Sequence, residues 1–100
     1  MTNEPVIMLR WALGEAGLAA VVDQAPRRAV RVRMDPGSAA GLAALLGVDP
    51  RAIDVSLRAV HRIRVRTVEA GPEMTTVVLA DEHGLRLADL ITARTANASS

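Results

Sequence analysis

Apolar residues fill nearly every position from Val6 to Ala16, and the polar residues Thr2, Asn3 and Glu4 stand just before them. A helix start needs a side-chain acceptor for its free N–H groups and tolerates proline in its first turn. Thr2 or Asn3 as cap, with Glu4 and Pro5 behind it, meets both needs. A helix apolar on nearly all sides is expected to be largely buried. Gly14 and Gly17 weaken it, and the chain is expected to leave the helix near Gly17. The stretch "LAAVVD" that follows has two readings, a continued helix or a short strand, with helix preferred. Pro26 ends either element.

"RRAVRVRM" alternates strictly, with Val30, Val32 and Met34 on one parity and Arg31 and Arg33 on the other. That is a strand with one buried and one solvated face. "DPGS" breaks it, and Asp35 or Ser38 is placed to cap the helix "AAGLAALLG", which Gly47 stops. Asp49-Pro50 then opens another helix. From Ile53 to Thr67 the chain fits two periods. As a helix, Ile53, Leu57, Val60 and Ile63 form the inner stripe, and Arg51, Val55, Arg58 and Arg62 the outer one. As a strand, Ile53, Val55, Leu57, Ala59, Ile63, Val65 and Thr67 share a parity. One strand over all of it would run to about 15 residues, far beyond the usual five or six. The expected division is a helix from about residue 50 to 59 and a strand from about 61 to 69. Gly71-Pro72 then turns the chain into the strand "MTTVVLAD", giving a hairpin. "DEHG" reads as a turn, "LRLADLITA" as a closing helix, and residues 95–100 as a disordered polar tail after a single domain over 1–94.

The chain has 100 residues, half of them apolar, so one small core is expected and disorder is not. There is no Phe or Tyr and one Trp, Trp11, which argues against a base-stacking platform for single strands. There is no Cys, which excludes disulfides, thiolate metal sites and a cysteine nucleophile. Residues 6–22 are mostly apolar but include Arg10 and Glu15, too short and too charged to span a bilayer. No basic leader followed by a small-residue cleavage site opens the sequence, so the expected location is the cytoplasm. Net charge is +1, yet residues 27–66 carry nine Arg against Asp35, Asp49 and Asp54, a local +6, and the remainder carries −5. A basic middle attracts phosphate or an acidic partner.

The order helix, strand, helix, tight turn, helix, strand, loop, strand, helix resembles a winged helix-turn-helix. "LAALLGVDPRAI" is similar to the helix-turn-helix of bacterial regulators and excisionase-like proteins. Ala43 stands where two helices would cross closely, Gly47 where they would turn, and Ile53 where the second would plug into the core. The resemblance implies an α+β, winged-helix-like fold with a small sheet and three to four helices, "GPEM" at 71–74 being the wing tip. It departs at Ser56, which stands three residues after Ile53 where an apolar anchor belongs, with Leu57 one place late. If Leu57 takes that anchor, Arg51, Arg58 and Arg62 point outward; otherwise the segment joins the sheet. The strand at 28–34 is also longer than the first strand of most winged helices.

The leading functional expectation is a non-enzymatic DNA-binding module, a small bacterial or phage transcriptional regulator. Arg51, Val55, Arg58 and Arg62 would face the major groove, with Asp54 at its edge, since an arginine fork matches guanine O6 and N7. Arg64, Arg66, Arg31 and Arg33 would lie near phosphates. The alternative is a protein-interaction or accessory subunit, such as an adaptor or phage-type component. Its contacts would be Met8, Trp11 and Leu18 on the apolar first helix, with a homodimer as one form. Asp81, Glu82 and His83 lie together but lack a nucleophile, and no phosphate-cradling glycine loop or metal-ligand spacing is present, so neither enzyme chemistry nor a cofactor is expected.

Overall fold

The computed structural model describes residues 3–99, and side chains of residues 3–97. Thr2, one of the two expected caps of the first helix, lies outside the described residues, as does Ser100. Four helices and a four-stranded antiparallel sheet make an α+β fold. The elements are α1 (Glu4–Glu15), β1 (Ala20–Ala25), β2 (Ala29–Met34), α2 (Pro36–Leu46), α3 (residues 50–61), β3 (Val65–Ala70), β4 (Thr75–Ala80) and α4 (Asp81–Ser99). α3 is a composite: a 3-10 turn at Pro50–Ala52, an α-turn at Ile53–Ser56 and a wide final turn at Leu57–His61.

The strands lie in the order β1-β2-β4-β3, so the α2–α3 pair is inserted between two strands that do not touch. β2, β4 and β3 with α2 and α3 reproduce the arrangement of a small winged-helix-like fold, and β1 widens the sheet beyond β2. Val22, Val32, Val77 and Val68 are opposite one another across the four strands, which puts them on one face. α4 lies against β2 and β4 on that face and against α1 and α2 beside it. Leu9, Val30, Leu79, Leu87 and Ile91 close the core between them.

Four expectations are corrected. "LAAVVD" contributes to strand β1 instead of prolonging the helix. Gly17 takes φ 75°, while Gly17 N–H bonds Gly14 O and Leu18 N–H bonds Leu13 O, a double closure that stops α1. The β-branched Val21 and Val22 then pair with β2. The first helix is buried on one side only, through Pro5, Val6, Leu9, Ala12 and Leu13, while Ile7 and Trp11 are each 53% exposed. "DEHG" is the first turn of α4, where Gly84 is required by packing: a Cβ there would lie 2.9 Å from Val30 Cγ2. Residues 95–99, expected as a disordered tail, continue α4, and Thr95 Oγ1 donates to Ile91 O at 2.7 Å.

Candidate nucleic-acid interface

Local chemistry sets α3 in place from both ends. Gly47 adopts φ 68°, and the bonds Gly47 N–H to Ala44 O and Val48 N–H to Ala43 O end α2. Asp49 then accepts from Arg51 N–H at 2.9 Å, and Pro50 takes the first helical position. Ile53 and Leu57 are buried at 5% and 1% exposure, so Leu57 fills the anchor position that Ser56, half-buried, does not. Val60, expected on the inner stripe, is 58% exposed. The wide last turn carries it out to solvent, and Ile63 returns to the core in its place.

Arg62 ends α3 in the left-handed region at φ 57°, ψ 31°. Arg86 of α4 clamps this end by donating Nη1 to Arg62 O at 3.0 Å and Nη2 to His61 O at 3.2 Å. Cations at a helix C-terminus satisfy its free carbonyls and oppose its dipole. His61 Nε2 reaches Leu46 O at 2.8 Å, tying α3 back to α2 and requiring the proton on that nitrogen. His83 Nδ1 accepts from Arg64 N–H at 3.2 Å, so its proton sits on Nε2, which is 4.0 Å from Glu82 Oε1. Among the described residues no group of three or more His, Asp or Glu could hold a metal ion.

The twelve arginines divide by what their side chains do. Arg10 donates to Val22 O, Arg66 to Arg27 O and Arg86 to the α3 carbonyls. Arg31 and Arg33 stand on the sheet face away from the helices, both within ion-pair distance of Asp23, at 3.0 and 3.3 Å. The hydrogen bond from Arg31 beside it, with the charges of Arg31, Arg33 and Arg10, holds the Asp23 carboxyl below the usual carboxylate range. Arg31 and Arg33 are therefore apart from the α3 surface and engaged by an acid. By contrast Arg51, Arg58, Arg62 and Arg64 are exposed, and none has an acidic partner within 4.0 Å among the described residues. Arg58 and Arg64 line one shallow depression of ≈ 110 Å³ together with Asp54, Val55 and Val65.

The β3–β4 turn, expected as a wing, closes with Gly71 N–H on Met74 O at 2.8 Å. It carries Glu73 and no cation. Of the expected contact residues, Trp11 on α1 is exposed and Met8 on α1 is half-buried against the core, while Leu18 lies beyond the end of α1 and is also half-buried against the core. Ile7, one turn before Trp11, does not stand out in the sequence, because an all-round apolar helix gives no sign of which side stays open. Arg27, Arg28 and Arg86 also escape sequence reasoning as site residues. Only the adjacency of Arg27-Arg28 after Pro26 hints at a basic turn.

No helix among the described residues is long and apolar enough to cross a membrane. Comparison with protein-family models, curated proteins and solved structures finds no match.

Proposed function

We propose that this chain is a small non-enzymatic DNA-binding module of the winged-helix type, with α3 as the element offered to the major groove. The observation that carries the reading is the contrast among its arginines. Arg51, Arg58, Arg62 and Arg64 are exposed and without an acidic partner along one helix and its exit, while Arg31 and Arg33 are engaged by Asp23. A helical segment of 12 residues is about 18 Å long, and a major groove about 12 Å wide admits it. Arg58 is the candidate for a paired contact to guanine, and Arg51, Arg62 and Arg64 for phosphates on either side. Transcriptional regulation in the cytoplasm of a bacterium or phage host, by a homodimer, is the setting this reading implies.

The test is fluorescence anisotropy on mixed-sequence duplexes at about 50 and about 200 mM salt. Wild type should bind at low salt and weaken by at least roughly tenfold on raising the salt. Arg58→Gln with Arg64→Gln should lose at least about tenfold in affinity with an unchanged circular dichroism spectrum, since both side chains are exposed. No measurable affinity for any duplex at the lower salt refutes the reading.

A second reading, a protein-interaction subunit, is favoured by one observation. Ile7 and Trp11 sit one turn apart on α1, each 53% exposed, and Trp11 borders a hollow with Glu15, Thr92, Thr95 and Ala96. Exposed aromatic and aliphatic side chains in one strip mark contact surfaces. Trp11→Ala should then abolish partner capture and leave duplex binding untouched.

A further inference from the structure

Three non-glycine residues among those described have positive φ: Arg27 at 64°, Arg28 at 54° and Arg62 at 57°. All three are arginines. Any side chain with a Cβ is strained there, and glycine or asparagine is the residue that folding alone would select. Arg27 and Arg28 follow one another in the three-residue turn joining β1 to β2, where Ala25 pairs with Ala29. Both carbonyls of that pair of residues are held from outside. Arg66 Nη1 donates to Arg27 O at 2.9 Å, and Asp81 N–H donates to Arg28 O at 3.0 Å. The side chains of Arg27 and Arg28 are left exposed, with no acid of the described residues within ion-pair distance. A strained backbone, pinned twice, thus presents two adjacent cations to solvent. Strain kept at such a point suggests that the side chains are used.

The turn is also joined to the α3 surface. Arg66 lies on β3 two residues after Arg64 and reaches the turn with its own side chain. α4 links the same parts, because Asp81 holds Arg28, His83 holds Arg64 and Arg86 holds Arg62. Arg27, Arg28 and Arg66 border an open hollow of ≈ 480 Å³ with Ala80, Asp81 and Glu82. The longest dimension of the molecule is 35 Å, about one turn of duplex DNA, so α3 and the β1–β2 turn are within reach of a single turn.

We infer that Arg27 and Arg28 in the β1–β2 turn are a second phosphate-contact site, which grips the backbone of the same duplex that α3 reads. The inference rests on the DNA-binding reading and adds a site to it. Glycine suits both backbone positions, so Arg27→Gly with Arg28→Gly removes two cations without disturbing the fold. The measurement is the slope of log affinity against log salt on one duplex. Removing one phosphate interaction lowers the magnitude of that slope by about 0.9, so the pair should lower it by about 1.8 and weaken binding at low salt by roughly tenfold. A slope and affinity equal to wild type, while Arg58→Gln with Arg64→Gln still weakens binding, overturns this inference and leaves the α3 reading standing. A wild type that binds no duplex overturns both. If the glycine pair loses its circular dichroism spectrum, Arg27→Gln with Arg28→Gln keeps the Cβ atoms and is judged by the same slope.

Discussion

Replacing Arg62 by glycine separates what that residue does for the fold from what it does for binding. Its backbone sits at φ 57°, ψ 31°, where a non-glycine residue costs about 1–2 kcal/mol. Glycine removes that cost but gives the unfolded chain extra freedom worth roughly 0.5–1 kcal/mol. The two carbonyl bonds from Arg86 go to backbone oxygens of His61 and Arg62, so both survive the substitution. The net effect should be a stabilisation of about 0.75 kcal/mol, within bounds of roughly 0 and 1.5, which is roughly 3–6 °C in Tm for a chain this size. Binding should move the other way. With one phosphate-facing cation gone, affinity should fall several-fold on every duplex alike, and the salt slope should shrink by about 1. Thermal unfolding and anisotropy on the same preparation give both numbers. A lower Tm would mean that the Arg62 side chain supports the fold, and the strain argument would be wrong. A raised Tm with an unchanged slope would remove Arg62 from the interface.

Gly84→Ala brings a Cβ to 2.9 Å from Val30 Cγ2 and 3.5 Å from Leu9 Cδ1. Better helix propensity gains about 1 kcal/mol, while overpacking a fully buried, β-branched neighbour costs about 1–3 kcal/mol. The midpoint of urea unfolding should therefore fall, and a midpoint at or above wild type would show that Val30 gives way. Asp23 titrates below its unfolded value of roughly 4, so its contribution to stability is present above that pH and is lost as pH falls through the folded value. The stability gap between wild type and Asp23→Asn should accordingly close on acidification below about pH 4. A gap that stays constant through that acidification would mean that the pair with Arg31 and Arg33 does not act on folding.

Much of the fold is legible in the sequence because strong local signals agree with one another. Gly47 followed by Asp49-Pro50 marks the stop of α2 and the start of α3, and the alternation in β2 marks its faces. The ambiguity from Ile53 to Thr67 arises because spacings of two and four share every second position. Length decides it, and burial of Leu57 completes the answer. "LAAVVD" misleads because alanine and leucine favour helix, and pairing with a strand ten residues away overrides that preference. "DEHG" misleads because a glycine required by close packing looks the same in sequence as one required by a turn. For the candidate site, the exposed stripe of Arg51, Arg58 and Arg62 is legible from helical period. The division of labour among the arginines is not. Whether an arginine is free depends on which acid the fold brings to it, as Asp23 is brought to Arg31 and Arg33 by strand register.

The two outer strands of the sheet are each disturbed. On β1, the side chain of Arg10 occupies the carbonyl of Val22, and on β3 the register slips between Val65 and Thr67. An uninterrupted outer strand is a template on which another chain can lay a strand of its own, the first step of fibre growth. Here a foreign strand would have to displace a guanidinium on one side and straighten a bulge on the other. Copies of this chain are thereby hindered from open-ended stacking through the sheet, because neither outer strand offers an unbroken row of free backbone groups.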